Sequence, residues 1–258
     1  MILIDTHAHL YLEEFREDIS AVLDRADKAG VDRIYLPAID SSEHLPMLEL
    51  EAKFPDKCLA MMGLHPCYVK ENYLDELQLV KDWLAKRPFA AVGEIGLDFY
   101  WDRTFEEQQY IAFREQIALA RQYELPIVIH SRNSTQECIE LVKEAQDGRL
   151  SGVFHCFSGS YELAKEVVKA GFYLGIGGVL TYKNAGLPAV LEKLGLDHLV
   201  LETDAPYLTP VPFRGKRNES SYLSYVVAKL AEIFSVSPEE VAEITTSNAR
   251  KLFKSTFP

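Results

Sequence analysis

Short apolar runs alternate with longer amphipathic stretches along the whole chain. Runs of strand length occupy 2–5, 33–39, 58–64, 89–95, 126–130, 152–155, 172–177 and 199–203. Between them, 15–29, 42–53, 73–86, 105–123, 135–146, 160–170 and 184–194 carry apolar residues at helical spacing. Further helical stretches follow the last run, near 219–234 and 238–253. The rhythm predicts eight βα units, with strands apolar on both faces and therefore covered on both sides. Eight such units can close into a parallel barrel, whereas an open doubly wound sheet more often carries about five to seven strands. The expected fold is α/β, a single (β/α)8 TIM barrel domain over 1–258.

Boundary residues agree with this division. Ser160 can cap the helix that begins at Tyr161, Gly171 stops it, and Ser237-Pro238-Glu239-Glu240 starts the last helix. The longest irregular stretch, Ala205 to Asn218, follows the eighth run and carries Pro206, Pro210, Pro212, Arg214, Lys216 and Arg217. It reads as an active-site loop, or more plainly as a stiff connector.

Length and composition fit one domain. The 258 residues match the roughly 250 typical of such barrels, and 48% hydrophobic with 26% charged residues suits a chain that buries a sizeable core. A formal charge of -12 disfavours nonspecific binding to duplex DNA. Bound divalent cations would reverse that sign locally, so acidity does not exclude a nucleic-acid substrate. Cys58, Cys67, Cys138 and Cys156 show no CxxC spacing, and reduced thiols are expected. No signal-like N-terminus or run of membrane-spanning length is present, which makes a cytoplasmic monomer without membrane partners the expectation.

The chemistry lies where the runs end. His7 and His9 flank Ala8 on an extended segment after the first run, so period-two alternation points both imidazoles to one side, where they can share an ion. Taken alone, the pair reads equally as a solvated loop or as core histidines. His65 follows the third run, His130 ends the fifth and His155 ends the sixth. Any one of them could be a satisfied buried histidine. Five of seven histidines nevertheless fall at strand ends on one face, where barrel side chains converge. The exceptions are His44, in a polar helix start, and His198, which precedes the eighth strand and belongs to the opposite face. Glu94 ends the fourth run and Asp204 follows the eighth. Each would be costly to bury unpaired, leaving a cation, a salt bridge or a helix N-cap as partner. Four imidazoles and two carboxylates exceed one tetrahedral site that keeps a place for water. They suit two adjacent ions bridged by a carboxylate, which would acidify a water and polarise a scissile bond.

Five segments then carry a resemblance: Ile4-Asp5-Thr6-His7-Ala8-His9-Leu10, Gly93-Glu94-Ile95-Gly96-Leu97-Asp98, Pro126-Ile127-Val128-Ile129-His130-Ser131-Arg132, His155-Cys156-Phe157-Ser158-Gly159 and Leu201-Glu202-Thr203-Asp204-Ala205-Pro206-Tyr207-Leu208. In this order they closely resemble the TatD family of metal-dependent deoxyribonucleases, among the amidohydrolase-like barrels. Arg214-Gly215-Lys216-Arg217-Asn218-Glu219 is similar to the family as well. The resemblance implies a (β/α)8 barrel that hydrolyses nucleic-acid phosphodiesters, acting from the 3′ end of single-stranded DNA. It also implies the ligands His7, His9, Glu94, His130, His155 and Asp204. No lysine ends strand four, so Glu94 is expected to bridge the ions. The chain departs from the family at Tyr11, where Asp or Asn is usual, and around Asn133 to Gln136.

The expected roles follow. Two divalent cations per chain (zinc, magnesium or manganese) are the cofactors, and single-stranded DNA is the partner. Asp204 coordinates and acts as general base, while Glu94 bridges. His65 and Arg132 are placed to grip phosphate oxygens, although Arg132 could instead neutralise nearby carboxylates. Asp98 and Glu202 orient ligands or cap helices. Tyr207, Arg214, Lys216 and Arg217 form a basic, aromatic rim for bases and phosphates, or a plain solvated surface. The rival readings are a binuclear hydrolase of a lactone, amide or small phosphoester, and a metal-holding nucleic-acid-binding protein without turnover.

Overall fold

The computed structural model describes residues 1–256. Eight strands run in chain order: β1 Leu3–Asp5, β2 Val31–Leu36, β3 Cys58–Ala60, β4 Val92–Asp98, β5 Ile127–Arg132, β6 Gly152–Phe154, β7 Phe172–Ile176 and β8 Leu199–Leu201. Helices α1 Ile19–Lys28, α2 Ser41–Lys53, α3 Tyr73–Lys86, α4 Glu106–Gln122, α5 Thr135–Ala145, α6 Tyr161–Lys169 and α7 Leu187–Leu194 connect them, and α8 Leu223–Phe234 and α9 Pro238–Leu252 complete the order. Where serine caps were expected they form: Ser160 Oγ accepts from Leu163 N–H at 3.3 Å, and Ser237 Oγ accepts from Glu240 N–H at 3.1 Å.

All ladders are parallel, in the orders β1-β2-β3 and β4-β5-β6-β7-β8. Two seams join these arcs into a closed (β/α)8 barrel. At one, the segment after β3 pairs with β4: Met62 N–H donates to Ala91 O at 3.1 Å and Gly93 N–H to Met62 O at 3.0 Å. At the other, Thr6 N–H donates to Leu201 O at 2.9 Å, Asp204 N–H to His7 O at 2.9 Å and His9 N–H to Ala205 O at 2.7 Å. The second seam thus carries His7, His9 and Asp204, and the first ends beside Glu94, all expected to act at the site.

Adjacent strand residues sort into two cores, as alternation requires. Ile4, Tyr35, Ala91, Val128, Val153 and Val200 pack together and, with Phe253 beyond α9, fill the barrel. Their neighbours Leu3, Ile34, Ile129, Leu199 and Leu201 pack outward against the helices. Phe253 stacks on Tyr35 with ring centroids 3.9 Å apart and closes the floor.

Some boundaries differ from the expectation. The first helix begins at Ile19, because Glu13–Phe15 forms a separate 3₁₀ turn that buries Phe15. Strand β4 continues to Asp98, so Glu94 sits inside it, and Asp98 is the strand's terminal carboxylate. Its register shifts between Val92 and Ile95, and a cis peptide joins Gly93 to Glu94. Likewise β5 runs past His130 to Arg132. Among the described residues, no helix is long and apolar enough to cross a membrane.

Gly96 shows how tightly β4 and β5 are pressed together. Its φ is +142°, and a Cβ placed there would lie 2.0 Å from the carbonyl oxygen of His130. Gly96→Ala is expected to destabilise the fold by roughly 2 kcal/mol or more, measured by urea unfolding. A loss under about 0.5 kcal/mol, the ordinary range of surface changes, would contradict this packing.

Candidate metal centre

Seven side chains, carried on six strands or the segments just after them, meet at the mouth of the barrel. The alternation after β1 places His7 and His9 side by side, with their Nε2 atoms 3.2 Å apart. Glu94 stands between two groups. Its Oε2 lies 3.1 Å from His7 Nε2 and 3.6 Å from His9 Nε2. Its Oε1 lies 2.9 Å from His130 Nδ1, 3.4 Å from His65 Nε2 and 3.8 Å from His155 Nε2. Asp204 Oδ1 approaches His9 Nε2 at 3.5 Å and both His7 Nε2 and His155 Nε2 at 3.7 Å. The rings of His7 and His155 stack at 3.5 Å. Asp204 holds a left-handed backbone, φ 57°, which re-aims the chain after β8.

Outer partners fix which nitrogen faces inward. The Tyr11 hydroxyl donates to Pro37 O at 2.5 Å, so at 2.9 Å from His9 Nδ1 it must accept. That leaves the lone pair of His9 on Nε2, toward Glu94. His130 Nε2–H donates to Asp98 Oδ2 at 2.8 Å, turning Nδ1 inward. Asp98 Oδ1 accepts from the backbone N–H groups of Tyr100 at 2.9 Å and Trp101 at 3.0 Å. Glu202 Oε1 stands 3.1 Å from His155 Nδ1, within ion-pair range but off the line of a hydrogen bond. His65 Nδ1 accepts from Cys67 N–H at 3.1 Å, which places the proton of its neutral ring on Nε2. Below these, Asp5 ties β1 to the loop after β8 by accepting from Thr203 N–H at 3.0 Å and Thr203 Oγ1–H at 2.7 Å.

Burial and mutual charge shift these groups strongly. For Glu94 burial pushes the pKa up, but the charges of His65, His7 and His155 hold it well below the ordinary value. Asp204 is likewise raised by burial and drawn lower overall by His155 and His9. Burial lowers His7 and His65. It opposes the charged forms of His130 and His155 too, yet the hydrogen bonds that Asp98 and Glu94 accept raise His130, and the charges of Glu202, Glu94 and Asp204 raise His155.

The donor set fits divalent cations. Four imidazole nitrogens and three carboxylate oxygens face one another at 2.9–3.8 Å. Facing lone pairs repel unless protons or cations lie between them, and mixed N/O donors at this spacing are ligands for zinc, manganese or magnesium. His65, Cys67 and His130 bring a further three ligand atoms within 4.8 Å of one another. Neither Cys67 nor Tyr11 was singled out as a site residue from the sequence. Both act at right angles to the strand-end pattern, one from a turn and one from the segment beyond His9.

Around these groups lies an open hollow of about 660 Å³, bordered by Tyr68, Trp101, Arg132, Cys156 and Tyr207 among others. Arg132 is exposed there and stacks 3.9 Å from the Tyr100 ring. No carboxylate among the described residues reaches it, so it does not neutralise its acidic neighbours. Tyr207 is half exposed, 6.4 Å from the His9 ring. Arg214 lies outside this lining, over the Tyr182 ring at 4.0 Å. Lys216 lies over Phe213, and Arg217 is engaged by Asp18 at 2.8 Å. Of the expected rim of Tyr207, Arg214, Lys216 and Arg217, Tyr207 borders the hollow, and Arg132 borders it as well. His44 lies in the polar first turn of α2, as expected, with its ring buried, and His198 lies before β8 at the opposite end. A larger hollow, about 910 Å³, sits between Pro126, Arg149, Tyr173 and Lys251 with no histidine in its lining.

Comparison with known proteins bears on the family and the fold. The family described as TatD related DNase matches residues 4–254. The uncharacterized metal-dependent hydrolase YabD of Bacillus subtilis (strain 168) is 41% identical over 254 residues, covering 98% of this chain and 99% of its own length. The crystal structure of YjjV, a TatD homologue from Escherichia coli K12, superposes with a TM-score of 0.92 at 34% identity, covering 98% of each chain. A TatD family hydrolase from Entamoeba histolytica superposes at 0.83 with 25% identity, covering 98% of each chain.

Two outcomes follow from the hydrogen-bonded shell. Without metal, the raised folded pKa values of His130 and His155 stabilise the fold fully below the ordinary histidine value near 6.5, and this contribution is lost as pH rises through the raised values. The chelated protein should thus melt at progressively lower temperature from about pH 7 to pH 9, while a divalent ion displaces both protons and holds the midpoint; parallel declines would refute the assignment. Tyr11→Phe should fold and yet bind divalent ions roughly 10- to 100-fold more weakly in chelator competition. Unchanged affinity would remove Tyr11 from the centre.

Proposed function

Because the chain belongs to the TatD family and is a metal-dependent hydrolase, we propose that it is a nuclease that removes nucleotides from the 3′ end of single-stranded DNA at a binuclear centre. The observation that carries this reading is the division of Glu94, whose two oxygens face separate histidine groups within one open hollow. Glu94 would then hold ions together with His7 and His9 on its Oε2 side and with His130 and His155 on its Oε1 side, and Asp204 lies against His7, His9 and His155.

Bound divalent ions supply Lewis-acid chemistry: they acidify a water, polarise the phosphoryl group and stabilise the leaving oxygen. Asp204 is held ionised by its histidine neighbours, and in this reading it accepts the proton of the attacking water. As the water oxygen joins phosphorus and the P–O bond to the sugar breaks, the same carboxyl returns that proton to the leaving oxygen. His65 is kept neutral by burial and carries its proton on Nε2, so it can donate to a non-bridging phosphoryl oxygen. Arg132 meets an adjacent phosphate with a planar guanidinium.

Metal analysis coupled to a substrate panel tests the proposal. Loaded protein is expected to shorten 3′-ended single strands and to leave lactones, amides and small phosphoesters largely intact; turnover confined to the latter compounds would replace the nuclease reading with theirs. Asp204→Asn should retain fold and metal content while turnover drops roughly 100-fold or more. Unaltered turnover would take the general base away from Asp204.

A further inference from the structure

The loop between β4 and α4 carries two aromatic rings that the centre does not use. Trp101 is 66% exposed and Tyr100 is 52% exposed, in a chain that buries most of its large apolar side chains. Their placement is not loose. Asp98 accepts the N–H of both, and the same carboxylate holds His130 through its other oxygen. The rings are thereby tied to the ligand shell, and Trp101 borders the hollow over the centre.

Arg132 completes the arrangement. Elsewhere in this acidic chain, arginines commonly sit on carboxylates, as Arg25 does on Glu219, Arg87 on Glu51 and Arg217 on Asp18. The Arg132 guanidinium instead lies 3.9 Å from the Tyr100 ring centroid and 5.1 Å from that of Trp101. Aromatic faces position a cation without neutralising it. The indole thus has the guanidinium 5.1 Å from its centroid and the Tyr100 ring in T-shaped contact at 4.9 Å, and two-thirds of the residue is open to solvent.

We propose that Trp101 and Arg132 form a nucleotide subsite beside the metal centre, with a base stacked on the indole and its phosphate held by the guanidinium. This deepens the nuclease reading and rests on it. A flat open ring with an unneutralised cation at its edge matches a nucleotide, which presents an aromatic face and an anionic phosphate together. A neutral sugar would use the ring and leave the cation idle. Stacking accepts any base, so the subsite predicts binding of single strands with little sequence preference and rejection of paired bases, whose faces are covered.

The chain has two tryptophans, Trp83 and Trp101, so Trp83→Phe makes Trp101 the only indole emitter. Metal-loaded protein in that background is titrated with phosphorothioate single strands, which resist cleavage, and with an abasic strand of equal length and linkage. The base-bearing strand should quench the emission and the abasic strand should not. Trp101→Ala, followed by anisotropy of a labelled strand, should weaken binding roughly 5- to 150-fold for the base-bearing strand only, and Trp101→Phe should restore most of it. Equal quenching by both strands would overturn stacking, as would quenching by oligosaccharides alone. If strands are bound and cut while Trp101 neither reports nor matters, the subsite fails and the nuclease reading stands. If no strand is bound or cut, both fall.

Discussion

Two imidazole nitrogens held 3.2 Å apart must share a proton or a cation between them, and here the backbone gives them little way to separate. His7 and His9 are fixed by the seam that closes the barrel, through bonds to Ala205 and from Asp204. Glu94 is fixed by the other seam, where its own N–H donates to Ala38 O at 3.2 Å. Closure of the barrel and assembly of the centre are therefore one event. A strand order that left the sheet open would keep His7 away from Asp204.

The outer partners convert this crowding into an ordered site. Tyr11, Asp98 and Glu202 each stand behind an imidazole, and all three are buried. A ring pinned at its far nitrogen can present only the near one, so ligand geometry exists before any ion arrives. Lost side-chain entropy is met during folding rather than during binding. The net charge of -12 counts the buried carboxylates of the centre, which bound cations would offset, while Arg132 at its edge lies on aromatic rings rather than on a carboxylate.

Much of this was legible in the sequence, for identifiable reasons. The eight runs buried on both sides produce a strong, repeated signal, and serine caps and glycine stops mark the helices chemically. His7, His9, His155 and Asp204 were readable because they follow short strands directly. Glu94 was harder, because the Gly93 and Gly96 backbone shifts register and extends β4 beyond it, a three-dimensional adjustment with no one-dimensional period. Arg214 and Arg217 looked like one basic cluster, but tertiary packing sends Arg217 to Asp18 and Arg214 to Tyr182. Tyr11 was legible as a departure from the family's Asp or Asn, but its bond to His9 was not, because it depends on how the segment beyond His9 folds back. Cys67 carried no spacing signal, since its nearness to His130 depends on β3 and β5 lying around the same ring.

The stacked pair of Phe253 and Tyr35 has a consequence for traffic. With the barrel's lower end stoppered by the final helix, nothing can be threaded through it, and whatever enters must leave by the same doorway. For a strand shortened from its end, as proposed above, the released unit would share that doorway with the remaining polymer, so that unloading and advance would take turns.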